Sequence, residues 1–118
     1  MIMHMHHQSI IVSSEAGVDF YKKLGFQELS RTCRVYDTIV YLIGYGEQLE
    51  IYIDETHPAR PTNPEALGLR HIGFQVHNIE FEWRKLEKFH PEPIRFREDG
   101  RKAFFVKDPD GLPIEFLE

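Results

Sequence analysis

Four residues of this 118-residue chain have the chemistry to hold a divalent cation: His7, Glu50, His71 and Glu115. Their spacing repeats, with 43 residues from His7 to Glu50 and 44 from His71 to Glu115. Imidazole nitrogen and carboxylate oxygen are common ligands for divalent metals, and two glutamates supply the two negative charges that balance such an ion. The set suits Zn, Ni, Co, Mn or Fe(II), because geometry and availability, not ligand type alone, select among these. A lone strand His or Glu is ordinarily a hydrogen-bonded or solvated side chain. It is the doubled His-to-Glu spacing that raises these four above His4, His6, His57, His77 and His90, which are assigned surface or structural roles. His6, adjacent to His7, is the one competitor.

The elements that must position them also occur twice. HQSIIVS at 7–13 alternates, with His7, Ser9 and Ile11 on one face and Gln8, Ile10 and Val12 on the other. An amphipathic helix over about 15–24 follows, stopped by Gly25. Strands are expected near 26–35, 37–44 and 47–54, the last two joined by a hairpin at GYGE. A linker at 56–68, carrying Pro58, Pro61 and Pro64, separates this module (about 5–55) from a second (69–118). The second repeats the order: a strand LRHIGFQVH at 69–77, a helix at 79–89, strands near 94–97 and 102–107, a turn at DPDG, and the strand LPIEFLE. Residues 1–118 thus read as a single α+β domain of two βαβββ modules forming a curved mixed sheet, with all four candidates in strands. Within them, Leu49, Ile51 and Ile53 oppose Glu50, and Ile114 and Phe116 oppose Glu115.

Composition excludes several functions. A net charge of −5 is the wrong sign for a general nucleic-acid binder. No apolar run approaches the ~20 residues of a bilayer-spanning helix. The stretch MIMHMHHQ has neither the basic nor the apolar segment of a secretory signal. A single cysteine, Cys33, forms no internal disulfide and is expected to be a half-buried strand residue; with the rest, it favours a cytoplasmic location.

The duplication, together with HQSIIVSS, FYKKLGF, GLRHIGFQV and DPDGLPIEF, resembles the vicinal oxygen chelate superfamily over essentially the whole chain. That superfamily includes glyoxalase I, methylmalonyl-CoA epimerase, fosfomycin-resistance thiol transferases, extradiol dioxygenases and bleomycin-binding proteins. The resemblance implies one divalent metal on His7, Glu50, His71 and Glu115. The presence of Glu50 leans toward the four-ligand, glyoxalase I-like branch. There it implies a metal-dependent lyase or isomerase acting by proton transfer on a small carbonyl compound or thiol adduct, with Glu115 as the base and Glu50 as the alternative. The alternatives are a thiol transferase or Fe(II) dioxygenase of the same fold, or a metal-free ligand-binding protein of the bleomycin-resistance type. Glutathione-dependent glyoxalase I has an Arg where this chain has Ile11 and an Asn where it has Asp54, which argues against glutathione as the thiol. Arg34, Arg60 and Arg70 are the candidate anion partners. The superfamily pairs its modules within a chain or across a dimer, and a homodimer is expected.

Overall fold

The computed structural model describes residues 1–118, and contact density divides them into two compact units, Met1–Pro58 and Ala59–Glu118. In the first, β1 (Gln8–Val12) leads into α1 (Glu15–Lys23), followed by β2 (Gln27–Cys33), β3 (Thr38–Gly44) and β4 (Glu47–Ile53). Ser14 caps α1, its hydroxyl accepting from the Ala16 N–H at 3.3 Å, while Glu15 opens the first turn and Lys22 and Lys23 close the last. That charge order complements the helix dipole. Gly25, at φ 113°, supplies the left-handed residue that ends the helix. The β3–β4 hairpin turns through Tyr45 and Gly46, both at positive φ as a tight primed turn demands.

The sheet order is β1-β4-β3-β2, with β1 parallel to β4 and the other pairs antiparallel. Val12, Val18, Phe20, Tyr21, Val40, Leu42, Leu49 and Ile51 are almost fully buried and form the core between this sheet and α1. Burying each such side chain contributes on the order of 1.5–3 kcal/mol. The helix lies so close to β1 that a Cβ on Gly17 would stand 2.5 Å from the Val12 side chain.

The second unit repeats the pattern with β5 (Ile72–Gln75), α2 (Ile79–Lys85), β6 (Arg95–Phe96), β7 (Lys102–Lys107) and β8 (Pro113–Leu117). Its sheet order, β5-β8-β7-β6, is the order of the first sheet renumbered, and again the first and last strands are parallel. Asn78 caps α2 by accepting from the Phe81 N–H at 3.0 Å. Ile79, Leu86, Phe104, Val106, Ile114 and Phe116 fill the core beneath it.

Three expectations are corrected. Helix 79–89 is shorter: α2 ends at Lys85 and a 3₁₀ turn covers Glu87–Phe89, because His90 precedes Pro91 and adopts φ 57°, outside the helical region. His7 and His71 lie one residue before β1 and β5, since parallel pairing begins only at Gln8↔Leu49 and Ile72↔Ile114. Cys33 is exposed at the end of β2, not half-buried.

Candidate metal centre

The register of each sheet decides where the four side chains go. In the first unit Glu50 on β4 pairs with Ser9 of β1 on one side and Tyr41 of β3 on the other. In the second, Glu115 on β8 pairs with Gly73 of β5 and Phe105 of β7. His7 stands two residues before Ser9, and His71 two residues before Gly73. Each His therefore projects from the same face as its Glu, a step along the neighbouring parallel strand. The units build one arrangement twice: a small residue beside the carboxylate, an aromatic ring on its other flank, and an imidazole at the strand entrance.

Within each unit the pair meets. His7 Nδ1 lies 3.4 Å from Glu50 Oε2, and His71 Nε2 lies 3.5 Å from Glu115 Oε1. These separations are long for a charge-assisted hydrogen bond. They match the distance of about 3.4 Å between two donors on one tetrahedral ion with bonds near 2.1 Å. The donor chemistry and spacing of both pairs thus fit a divalent cation. Surroundings differ, however. Glu50 is half-buried, with the Tyr52 hydroxyl 3.5 Å from its Oε1. His6 joins that pair, its Nδ1 3.0 Å from His7 Nδ1, so His6, His7 and Glu50 form a cluster of potential ligands. Glu115 is only 7% exposed. His71 stands edge-on to Phe105 with ring centroids 5.0 Å apart. Its Nδ1 is buried without a partner, which leaves Nε2, the nitrogen facing Glu115, as its working atom.

Two arginines that the sequence reading did not single out flank the second pair. Arg95 Nη2 donates to Glu115 Oε2 at 3.1 Å, and Arg97 Nη1 lies 3.7 Å from Glu115 Oε1. The signal was present in RFR: on a strand, residues two apart share a face. The arginines nominated instead are engaged elsewhere. Arg34 grips Asp37 through two bonds of 2.6 Å, which hold the Asp37 carboxyl below its ordinary range. Arg70 pairs with Glu65 at 3.3 Å, and Arg60 bonds Glu65 and the carbonyls of Leu69 and Arg70. Of the remaining histidines, His4 bonds the Met5 carbonyl and His57 faces Asp54 at 3.3 Å. Asp54 accepts from the Thr56 hydroxyl and N–H, and these bonds lower its carboxyl pKa.

Beside the His71–Glu115 pair the second unit opens a cavity of about 590 Å³, whose wall includes His71, Arg95, Phe105 and Lys107. It is of a size to take a small organic molecule. No helix in the chain is long and apolar enough to cross a membrane.

Comparison with known proteins gives a consistent answer. The sequence profile described as the Glyoxalase/Bleomycin resistance protein/Dioxygenase superfamily matches residues 4–116. The chain is 35% identical to the uncharacterized protein YwkD of Bacillus subtilis, across 100% of this chain and 98% of that protein. The crystal structure of a glyoxalase family protein from Enterococcus faecalis superposes with a TM-score of 0.90 at 39% identity, covering 98% of this chain and 97% of the other. A fosfomycin resistance protein, FosX of Listeria monocytogenes, shares the fold at 16% identity (TM-score 0.80, covering 99% and 92%). Its E126Q mutant was crystallised with Mn(II) and 1S,2S-dihydroxypropylphosphonic acid.

Proposed function

The chain belongs to the Glyoxalase/Bleomycin resistance protein/Dioxygenase superfamily, and we propose that within it the protein is a divalent-metal lyase or isomerase of the glyoxalase I type. The ligands in this reading are His7 and Glu50 from the first unit and His71 and Glu115 from the second. The observation that carries it is the matched register: in both units a His two residues before the strand partner of a Glu comes within 3.5 Å of that carboxylate. When bound, the cation polarises a substrate carbonyl oxygen, favouring loss of a proton from the adjacent carbon.

The chain's own groups supply the rest. Glu115 is the base: it receives the C–H proton on one carboxylate oxygen and returns it to the neighbouring carbon. Its near-complete burial keeps bulk water from that exchange. Arg97, 3.7 Å from Glu115 Oε1, holds the carboxylate in place from the solvent side. Phe105 fixes the His71 ring by edge contact and walls the cavity. Glu50 occupies the equivalent position in the first unit, where half-burial and fewer cationic neighbours suit it to holding the ion. We further propose a small carbonyl compound or thiol adduct as substrate, a homodimer as the working form, and a cytoplasmic location.

Proton transfer has a direct test. A methylglyoxal–thiol adduct incubated in deuterated buffer with zinc-loaded protein should isomerise to the 2-hydroxy thioester with its own hydrogen largely retained at carbon, and Glu115→Gln should abolish the conversion. No conversion by the wild type, or conversion unchanged in that variant, would remove the isomerase reading. A Glu50→Ala protein retaining both metal and activity would favour the thiol-transferase or dioxygenase alternative.

A further inference from the structure

One difference between the two His–Glu pairs introduces a charge. Arg95 of β6 pairs with Ala103 of β7; the corresponding pair in the first unit is Thr32 with Ile39. A small neutral residue in one unit is thus a guanidinium in the other, on the face that carries the carboxylate. The Arg95 side chain, 44% exposed, lies over Phe105 with its guanidinium carbon 5.2 Å from the ring centroid. Stacking of this kind fixes the plane of a guanidinium and leaves its edge free to donate. Only one of its five N–H groups is used by the protein, the 3.1 Å bond to Glu115. Arg95 itself borders the cavity. Cationic side chains predominate there, with Arg70, Arg95 and Lys107 against Glu65 and Glu92. Arg70 is bound to Glu65, whereas Lys107 has no acidic partner.

We propose that Arg95 selects the substrate, by binding a carboxylate carried by a small carbonyl compound. The planar fork of Arg95 matches a carboxylate in two parallel hydrogen bonds, and Lys107 adds a second positive charge on the same wall. Arg95 touches the base Glu115, so a carboxylate held there places the reacting carbon within a few bonds of its own anionic end. Arg97, which also faces Glu115, stays behind to screen the base from the arriving anion. The substrate is therefore a short oxo-carboxylate, in which carbonyl and carboxylate are close neighbours. This inference rests on the proposed role of Glu115, but its test does not.

Pyruvate, uncharged hydroxyacetone and methylphosphonate are titrated calorimetrically into chelator-treated protein, with parallel measurement of zinc affinity. Pyruvate should bind wild type at least tenfold more tightly than Arg95→Met, with Arg95→Lys intermediate, and hydroxyacetone should not distinguish the three. Zinc affinity should be kept in Arg95→Met, since the variant frees Glu115 from a competing partner. Equal pyruvate binding by wild type and Arg95→Met would overturn the assignment, as would a preference for methylphosphonate over pyruvate. A loss of zinc affinity in Arg95→Met would make the residue a support for Glu115 and would equally overturn it. Failure of the metal reading appears elsewhere, as zinc affinity undiminished in His71→Ala.

Discussion

Replacing Glu115 by Leu separates what the residue does for the fold from what it does for the site. The carboxylate is 7% exposed and faces His71 at 3.5 Å, Arg95 at 3.1 Å and Arg97 at 3.7 Å. Removing it deletes one good charge-assisted hydrogen bond, worth roughly 1.5–3 kcal/mol where both partners are dry. The partners here are not dry: the Arg95 and Arg97 side chains are 44% and 33% exposed and can turn to water. That exposure brings the loss down to about 1 kcal/mol, and the buried leucine offsets part of it. Without metal, the variant should therefore unfold within ~1 kcal/mol of wild type. With free zinc a hundredfold above its dissociation constant, wild type gains about 2.7 kcal/mol by mass action. The urea midpoint then moves up by about 1–2 M. Glu115→Leu should show almost none of this shift. The assay is urea denaturation followed by circular dichroism, in EDTA and in zinc. A loss above 3 kcal/mol in EDTA would make Glu115 a structural ion-pair residue, and an undiminished zinc shift would remove it from the ligand set.

Other predictions follow from the scaffold and its charges. Gly17→Ala drives a methyl into Val12 and should cost about 1–3 kcal/mol by thermal denaturation, because both side chains are locked in the packed helix–strand contact. Asp108, 3% exposed, accepts from the N–H groups of Asp110 and Leu112 at 2.9 and 3.0 Å. Asp108→Ala orphans both donors just before β8, so it should lose about 1–3 kcal/mol and weaken zinc binding together. Acid titration should reveal the surface network in which Arg31, then Lys22, hydrogen-bond Glu28 and lower its carboxyl from 4.5 to about 2. A depressed carboxyl stabilises the fold fully above the unfolded value and loses that contribution as pH falls toward the folded one. Glu28→Gln should therefore lower stability at neutral pH and flatten its fall between pH 4.5 and 2.

Much of the fold was legible because each strand alternates cleanly and each turn carries its own chemistry. QLEIYI and LPIEFLE announce both the buried face and the residue opposite it, and Tyr45–Gly46 and Gly25 adopt the positive φ that their turns require. The four ligand candidates were legible for a different reason, the repeated spacing, which needs no knowledge of packing. Element ends were less so. His7 and His71 continue the alternation of their strands, yet pairing starts one residue later, at Gln8↔Leu49 and Ile72↔Ile114. Helix periodicity in IEFEWRKLEKF ran on past Lys85, while the backbone yields to His90–Pro91. Arg95 escaped notice because β6 is two residues long and its charge is explained only by what lies across two strands, on β8. Arg34, by contrast, drew attention by composition alone, and its local partner Asp37 satisfies it three residues on.

His71 and Glu115, like His7 and Glu50, are proposed to hold a divalent metal. Elemental analysis of protein purified without chelators, for wild type beside His71→Ala and Glu115→Ala, addresses it directly. About one divalent ion per wild-type chain, falling to background in both variants while their circular dichroism is preserved, is the predicted result. Folded variants that retain the wild-type metal content would contradict it.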